Sequence, residues 1–332
     1  MIGVTMGGRL GNQFLMYALA RKLMYLRQRQ EQLVFDFSHL SNKKDSGFTD
    51  VLRFFQIQEY IYSRDNLILK YGSIKQKFAY LRHIAASHCS ADYDYELDTS
   101  RLFQNGIYFN YNNYPVLLSD HQNIFTFGLC ETPACFDDIK EILQKEFTPK
   151  SPLLDSNQGL MDIIKKTNSV CVTIRRGDFL SDKFKKDFFL CDKDYFERGI
   201  EEIKKRVDSP VFIFFSDDID WVKANFEQSN TMYFESGTDP VWEKIRLMYS
   251  CKHFIISNST FSWWAQYLSR NPNKVVISPD KWFPHQVKNS KLIQEGLSVF
   301  KQQTKSMKNN SSIAFLGLSR FFAICWALLP ID

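Results

Sequence analysis

The chain is predicted to be an α/β protein of two domains, the second built on a parallel sheet. Short apolar runs at 170–174, 211–215, 231–234, 253–257 and 274–277 alternate with helical patterns near 193–207, 218–227, 240–251 and 261–270. Strands that alternate with helices form βαβ units, and those units make parallel sheets. A length of 332 residues, 44% of them hydrophobic and 24% charged, suits two ordinary cores and a globular composition.

Taken in order, the first half opens with a strand at 2–6, a glycine-rich loop at 7–11 and an amphipathic helix from about Asn12 to Arg29. A second strand is expected at 33–37. Residues 40–120 show helical pieces, many Tyr and Phe, and turn signals such as Asn105-Gly106 without a regular pattern. A strand near 124–129 and a helix at about 133–147 close this half. The Pro- and Ser-containing stretch from Thr148 to Pro152 reads as a linker. The expected domains are therefore 1–150 and 151–300, followed by 301–332 as a basic linker and an apolar C-terminal helix.

Composition excludes some functions. The net charge of +5 comes from Lys and Arg scattered among Asp and Glu, which is no nucleic-acid stripe. Seven cysteines include no CxxC pair and no Cys/His ligand spacing, so no metal site is expected. Cys171, Cys251 and Cys325 sit in apolar segments as small buried thiols, which predicts a reducing compartment. Met1 runs straight into strand-like residues, without the charged and apolar regions of a secretory signal. The cytoplasm is the expected location. Aromatic residues make up 15% of the chain, enough to line a sugar-binding cleft as well as fill cores. In the tail, Lys301–Ser312 is basic and Ile313–Leu329 is apolar around Arg320, at the short limit for spanning a bilayer. An interfacial helix at the cytoplasmic membrane face, or a helix packed on the protein, is expected there.

Four segments carry the chemistry. The first, Gly7 to Phe14 (GGRLGNQF), follows a strand and opens a helix. Its glycines, Gly8 among them, allow close approach of backbone to a ligand, and Asn12 and Gln13 supply amides at a positive helix end. A tight strand-to-helix turn reads the same way. The second, Thr173 to Asp178 (TIRRGD), ends a buried strand with two guanidiniums. Paired arginines suit a diphosphate, because each planar fork donates parallel hydrogen bonds and stays charged. A surface ion-pair cluster of Arg176 with Asp178 is the plainer alternative, and Arg176-Gly177-Asp178 also spells an adhesion tripeptide. The third, Phe214 to Asp220 (FFSDDID), ends a strand in Ser216, Asp217 and Asp218, suited to a ribose, a base edge or a helix cap. The fourth, Ser257 to Trp264 (SNSTFSWW), sets Asn258, Ser259, Thr260 and Ser262 at a helix start, where hydroxyls and free N–H groups meet an anion. Together these features point to a nucleotide-sugar enzyme.

In this order, GGRLGNQ, RRGD, FFSDD and NSTFSWW resemble the bacterial branch of the α-1,2-fucosyltransferase family, over most of residues 1–283. The resemblance implies a GT-B-like fold, two Rossmann-like domains facing across a cleft, with GDP-fucose held mainly by the second. It implies inverting transfer of L-fucose from GDP-β-L-fucose to a galactose 2-hydroxyl of a glycan, with no metal or other cofactor. Arg175 would take the β-phosphate and Arg176 the diphosphate or the loop. Ser259, Thr260 and Ser262, with Asn258, would serve the phosphates and fucose, and Asn12 and Gly8 would approach from the first domain. Ser216, Asp217 and Glu243 would meet the ribose or guanine edge. Asp178 is the candidate base, with Asp182 as runner-up. Relatives often carry His two residues before the arginine pair, where this chain has Thr173. Other GDP-sugar transferases (O-fucosyl or α-1,6-fucosyl type) and a non-catalytic carbohydrate or adhesion module are the alternatives.

Overall fold

Ile2–Thr5 (β1), Leu33–Asp36 (β2), Tyr60–Ser63 (β3), Ile107–Phe109 (β4) and Ile124–Phe127 (β5) form one sheet in the order β3-β2-β1-β5-β4, with every pairing parallel. The computed structural model describes residues 1–40, 48–89, 93–177, 180, 190–226, 229–282, 291–293 and 298–300. Asp178, Asp182 and the expected tail helix at 313–329, with its membrane contact, lie outside these residues. Strands β1, β2 and β5 are buried almost throughout, so they read as unbroken apolar runs, as parallel strands covered on both faces do.

Helix α1 (Leu10–Arg27) is apolar nearly all round, with Phe14, Leu15, Met16, Tyr17, Leu19 and Leu23 buried. The described residues of the segment 40–120 hold a 3₁₀ turn at Leu52–Phe54, β3, β4 and the helices α2 (Leu67–Tyr71), α3 (Ile74–Cys89) and α4 (Tyr95–Gln104). Asn66 caps α2 and Asp94 caps α4, each through a side-chain oxygen. The expected helix at 133–147 is shorter. Two 3₁₀ turns, at Pro133–Cys135 and Asp137–Ile139, precede α5 (Lys140–Glu146).

Asn168–Ile174 (β6), Pro210–Ser216 (β7), Met232–Phe234 (β8), His253–Ile255 (β9), Val276–Pro279 (β10) and Ser298–Phe300 (β11) form the second sheet, in the order β11-β10-β9-β6-β7-β8, again wholly parallel. This is the doubly wound nucleotide-binding order, 6-5-4-1-2-3 when counted within the unit. The helices are α6 (Gln158–Lys166), α7 (Lys193–Arg206), α8 (Ile219–Asn225), α9 (Val241–Ser250) and α10 (Thr260–Leu268). Tyr195, Phe196, Ile200 and Ile203 of α7 pack with Val170, Val172, Phe212, Phe214 and Ile255 in one buried cluster. Both halves are thus Rossmann-like, as the GT-B-like reading expects.

The compact units divide at 139/140 rather than at 150, and residues 53–56 belong with the second. The reason is packing. On α5, Gln144 donates to the carbonyl of Leu268, and just past its end Phe147 meets the ring of Trp264 edge-on. The expected linker is tied down as well: Gln56 N–H donates to Thr148 O and Lys150 N–H to Phe54 O.

Candidate active site

The second sheet reverses its winding between β6 and β9. Ligands of open α/β sheets bind outside the carboxyl ends of the strands at such a switch point. Two of the predicted segments leave the sheet there: Arg175-Arg176-Gly177 from β6, and Ile256 to Ser259 from β9. A hydrogen bond joins them, since the buried Thr173 hydroxyl accepts the N–H of Ser257 at 3.2 Å. Thr173 therefore ties the two lips of the crevice together.

The register of β6 with β7 pairs Ile174 with Ser216, which sets the two arginines beside the two aspartates. Nη1 of Arg175 lies 2.6 Å from Oδ2 of Asp217, and Asp217 Oδ1 accepts the backbone N–H of Arg176 at 2.8 Å. Nε of Arg176 is 3.2 Å from Asp218 Oδ2, and its guanidinium lies 3.6 Å from the centre of the Trp221 ring. At Gly177 a Cβ would fall 2.5 Å from Asp217 Oδ2, so the turn and the carboxylate fit each other only with glycine there. The ladder is semi-exposed: the Arg175 side chain is 21% accessible and that of Asp217 25%. Two guanidiniums, whose charge is permanent, are thereby held at the sheet edge.

This arrangement gives the third segment a bracing role. Asp217 was expected at a ribose or base edge, yet its carboxylate is committed to Arg175 and to the Arg176 backbone. Ser216 is a brace too. Its hydroxyl donates to Ile174 O at 2.8 Å and accepts Asp218 N–H, while its own N–H donates to Glu235 Oε1. Glu235 is buried against Lys244 at 3.1 Å, and burial raises its carboxyl above the usual range against the pull of that ammonium. Asp218 caps α8 through Trp221 N–H. Sequence reading missed Trp221 and the Glu235–Lys244 pair. The spacing of Asp218 and Trp221 marks a capped helix start, but nothing local links Trp221 to Arg176.

The fourth segment divides into two groups. Asn258 is buried, with Nδ2 donating to Trp282 O at 2.9 Å and Oδ1 accepting from Cys191 Sγ at 3.5 Å. Ser262 is buried as well, its hydroxyl 3.1 Å from that of Ser257. Both were expected to reach the phosphates or fucose, and both are used to fold the strand-to-helix turn instead. Ser259 and Thr260 are only partly buried at the mouth of α10. Ser259 holds the cap position with extended backbone and makes no side-chain capping bond, and the first turn has no acidic residue. Trp263 and Trp264 are core: Nε1 of Trp263 donates to Leu292 O, and both indoles are fully buried.

Glu243 is also displaced from its expected role. It is 0% exposed, with Oε1 accepting Leu154 N–H at 2.9 Å and Asn157 Nδ2 at 3.3 Å, and Oε2 3.1 Å from Arg246 Nη1. It braces the approach to α6 rather than presenting a carboxylate to guanine.

In the first unit, Gly8 and Asn12 stand at the corresponding switch point, after β1. Gly8 has φ +69°, and a Cβ there would meet Asn12 Nδ2 at 2.5 Å, so the amide lies over the glycine. Gln13 fastens the same loop by donating to Gly8 O and Thr49 O. The first turn of α1 carries no acidic residue. Beyond β5, burial pushes the Glu131 carboxyl up to about 7. Among the described residues no group of three or more His, Cys, Asp or Glu side chains could hold a metal, and Cys130, Cys135, Cys171, Cys191 and Cys251 are buried free thiols.

Two doubly wound parallel sheets, one presenting paired arginines at its switch point, define a Rossmann-like α/β protein with two cations at the crevice of its second sheet. Residues 1–295 match glycosyl transferase family 11, and the chain belongs to that family. It is 38% identical over 169 residues to an α-1,2-colitosyltransferase of Escherichia coli, covering 49% of this chain and 57% of that protein. The match thus spans little more than half of that relative's length. The O-antigen biosynthesis glycosyltransferase WbnK of Escherichia coli is 26% identical over 290 residues, 84% of this chain and 93% of that one. Galactoside α-(1,2)-fucosyltransferase 1 of Homo sapiens is 26% identical over 147 residues, 40% of each chain.

Proposed function

We propose that this chain moves L-fucose from GDP-β-L-fucose to the 2-hydroxyl of a galactose residue in a glycan, inverting the anomeric centre to give an α-linkage. The observation that supports the reading most is the Arg175–Asp217 and Arg176–Asp218 ladder at the β6 edge of a nucleotide-binding sheet. As the bond from the fucose anomeric carbon to the β-phosphate oxygen breaks, negative charge grows on the departing diphosphate. Groups aimed at that charge before reaction stabilise the transition state most. Arg175 supplies a fixed fork for it. Arg176, stacked on Trp221, holds the turn. Ser259 and Thr260 offer hydroxyls and helix-start N–H groups to the same phosphates. Because guanidinium charge is permanent, the reaction needs no divalent cation in this reading. The buried thiols suit work in a reducing, cytoplasmic setting.

The α-1,2 linkage appears in the names of two of the relatives, which differ in the sugar moved: colitose in one, fucose in the other. Colitose is therefore a second reading for the sugar, at the same linkage. An adhesion role has less support, because the Arg176 guanidinium is bonded to Asp218 and packed on Trp221 instead of being presented to a partner.

The test is transfer from GDP-fucose to a galactose-terminated oligosaccharide, beside a nucleotide-linked colitose and UDP-galactose as competing donors, with the product linkage assigned by NMR. An α-1,2-linked fucoside is expected. Turnover of the colitose donor alone would move the assignment to colitose, and turnover of UDP-galactose alone would overturn it.

A further inference from the structure

Helix α3 sets Ala79 and Tyr80 against the apolar core of the first unit, and it buries two polar side chains beside them. Gln76 is buried, donating to Asn105 O at 3.0 Å and Asn123 O at 2.8 Å while accepting Ser73 N–H. About two turns on, buried His83 sets Nδ1 2.5 Å from Asp98 Oδ2, which also accepts the Tyr93 hydroxyl at 2.9 Å. The outward face carries Ile74, Phe78 and Leu81, at positions i, i+4 and i+7 of one stripe. They are 87%, 71% and 53% exposed. An Ile and a Phe this exposed on one stripe form the kind of patch that marks an interaction surface.

Charge decides what covers it. Helix α3 carries Lys75, Lys77 and Arg82 and no carboxylate. At 100° per residue, Lys75 and Arg82 flank the apolar stripe on one side and Lys77 on the other. Beside Phe78, a hollow of about 240 Å³ is lined by Lys75, Arg82 and Arg101. The carboxylate that reaches this hollow, Asp98, is held by His83 and Tyr93. A second copy packed on this stripe would bring these cations against one another with no matching acids. An apolar stripe bordered by cations matches an anionic lipid surface, where the stripe enters the acyl boundary and the cations meet headgroup phosphates.

We propose that the α3 face docks the first unit onto an anionic membrane surface, with Ile74, Phe78 and Leu81 entering the interface and Lys75, Arg82 and Arg101 receiving lipid phosphates. No helix among the described residues is long and apolar enough to cross a membrane. The docking is peripheral.

The test is co-sedimentation of the full chain with phosphatidylcholine vesicles, with and without phosphatidylglycerol. Binding is expected only with the anionic lipid and is expected to weaken with salt. The triple variant Ile74→Ser, Phe78→Ser, Leu81→Ser should weaken binding about tenfold or more, since affinity scales with the apolar area inserted. Lys75→Gln with Arg82→Gln and Arg101→Gln should remove the preference for phosphatidylglycerol. Thermal melting of each variant should stay near wild type, because the altered side chains are on the surface. If the triple variant unfolds, Phe78→Ser alone is measured, and unchanged binding then overturns the proposal. Failure of the wild type to bind overturns it, as does wild-type binding by the triple variant, which would assign any membrane contact to another segment such as 301–332. A dimer seen by light scattering that the triple variant dissolves, with vesicle binding unaltered, would make the face a contact between copies and also overturn it.

Discussion

Nη1 of Arg175 lies 2.6 Å from Oδ2 of Asp217, while the other oxygen of the same carboxylate accepts the N–H of Arg176. One aspartate thus aims the first arginine and fixes the backbone that carries the second. The guanidinium is oriented before any ligand arrives, the condition under which a charged group stabilises a transition state at least reorganisation.

Arg175→Ala should therefore lower kcat/KM for GDP-fucose by about a hundredfold or more, the range for removing one aligned donor. Arg175→Lys should recover little of it, because an ammonium cannot reproduce the planar fork. Asp217→Asn, which keeps the shape but loses the charge, should cost less than Arg175→Ala. Steady-state kinetics of the three variants decide this; near-wild-type values in all three would remove the ladder from the reaction.

Gly177→Ala tests the fit between the turn and the carboxylate. The added methyl would lie 2.5 Å from Asp217 Oδ2, so Asp217 must shift. A loss of about 1–3 kcal/mol is expected from overpacking. In Asp217→Ala the same Gly177→Ala change should cost much less, a coupling that a double-mutant cycle of melting curves measures. Additive losses would mean that the two positions do not sense each other.

In the proposed reaction activity should persist in excess EDTA, because the permanent charge of two guanidiniums would take the place of a divalent cation at the leaving diphosphate. Turnover abolished by EDTA and restored by Mg²⁺ or Mn²⁺ would show that the arginines do not suffice.

Glu131 makes stability depend on pH in a defined direction. Burial raises its carboxyl from about 4.5 to about 7, so the folded protein holds this proton more tightly than the unfolded chain does. The stability linked to that proton is full below pH 4.5 and is lost as pH rises through 7. Glu131→Gln, which mimics the protonated form, should be more stable than wild type at pH 8 by up to about 3 kcal/mol. The advantage should vanish near pH 4. Urea unfolding at the two pH values measures this, and an advantage independent of pH would assign the effect to packing.

Much of this architecture is legible in the order of residues. The strands β1, β6 and β7 announce themselves because strands buried on both faces must be continuously apolar, and the two arginines after Ile174 must leave that core at a sheet edge. Those are local demands, so local sequence carries them. The segment 40–120 was opaque for a related reason: strands as short as Ile107–Phe109, and a helix that buries Gln76 and His83 while exposing Ile74 and Phe78, as α3 does, blur the hydrophobic period. Which polar side chains face a ligand and which fold the site is a different matter. Asn258, Ser262, Ser216 and Glu243 have the chemistry of binding residues, but each is buried against a backbone or side-chain partner 5 to 86 positions away in the chain. A hydroxyl or carboxylate serves either role equally well, and only tertiary packing decides between them. The same packing converts two arginines and two aspartates, 42 residues apart in the chain, into one charged ladder.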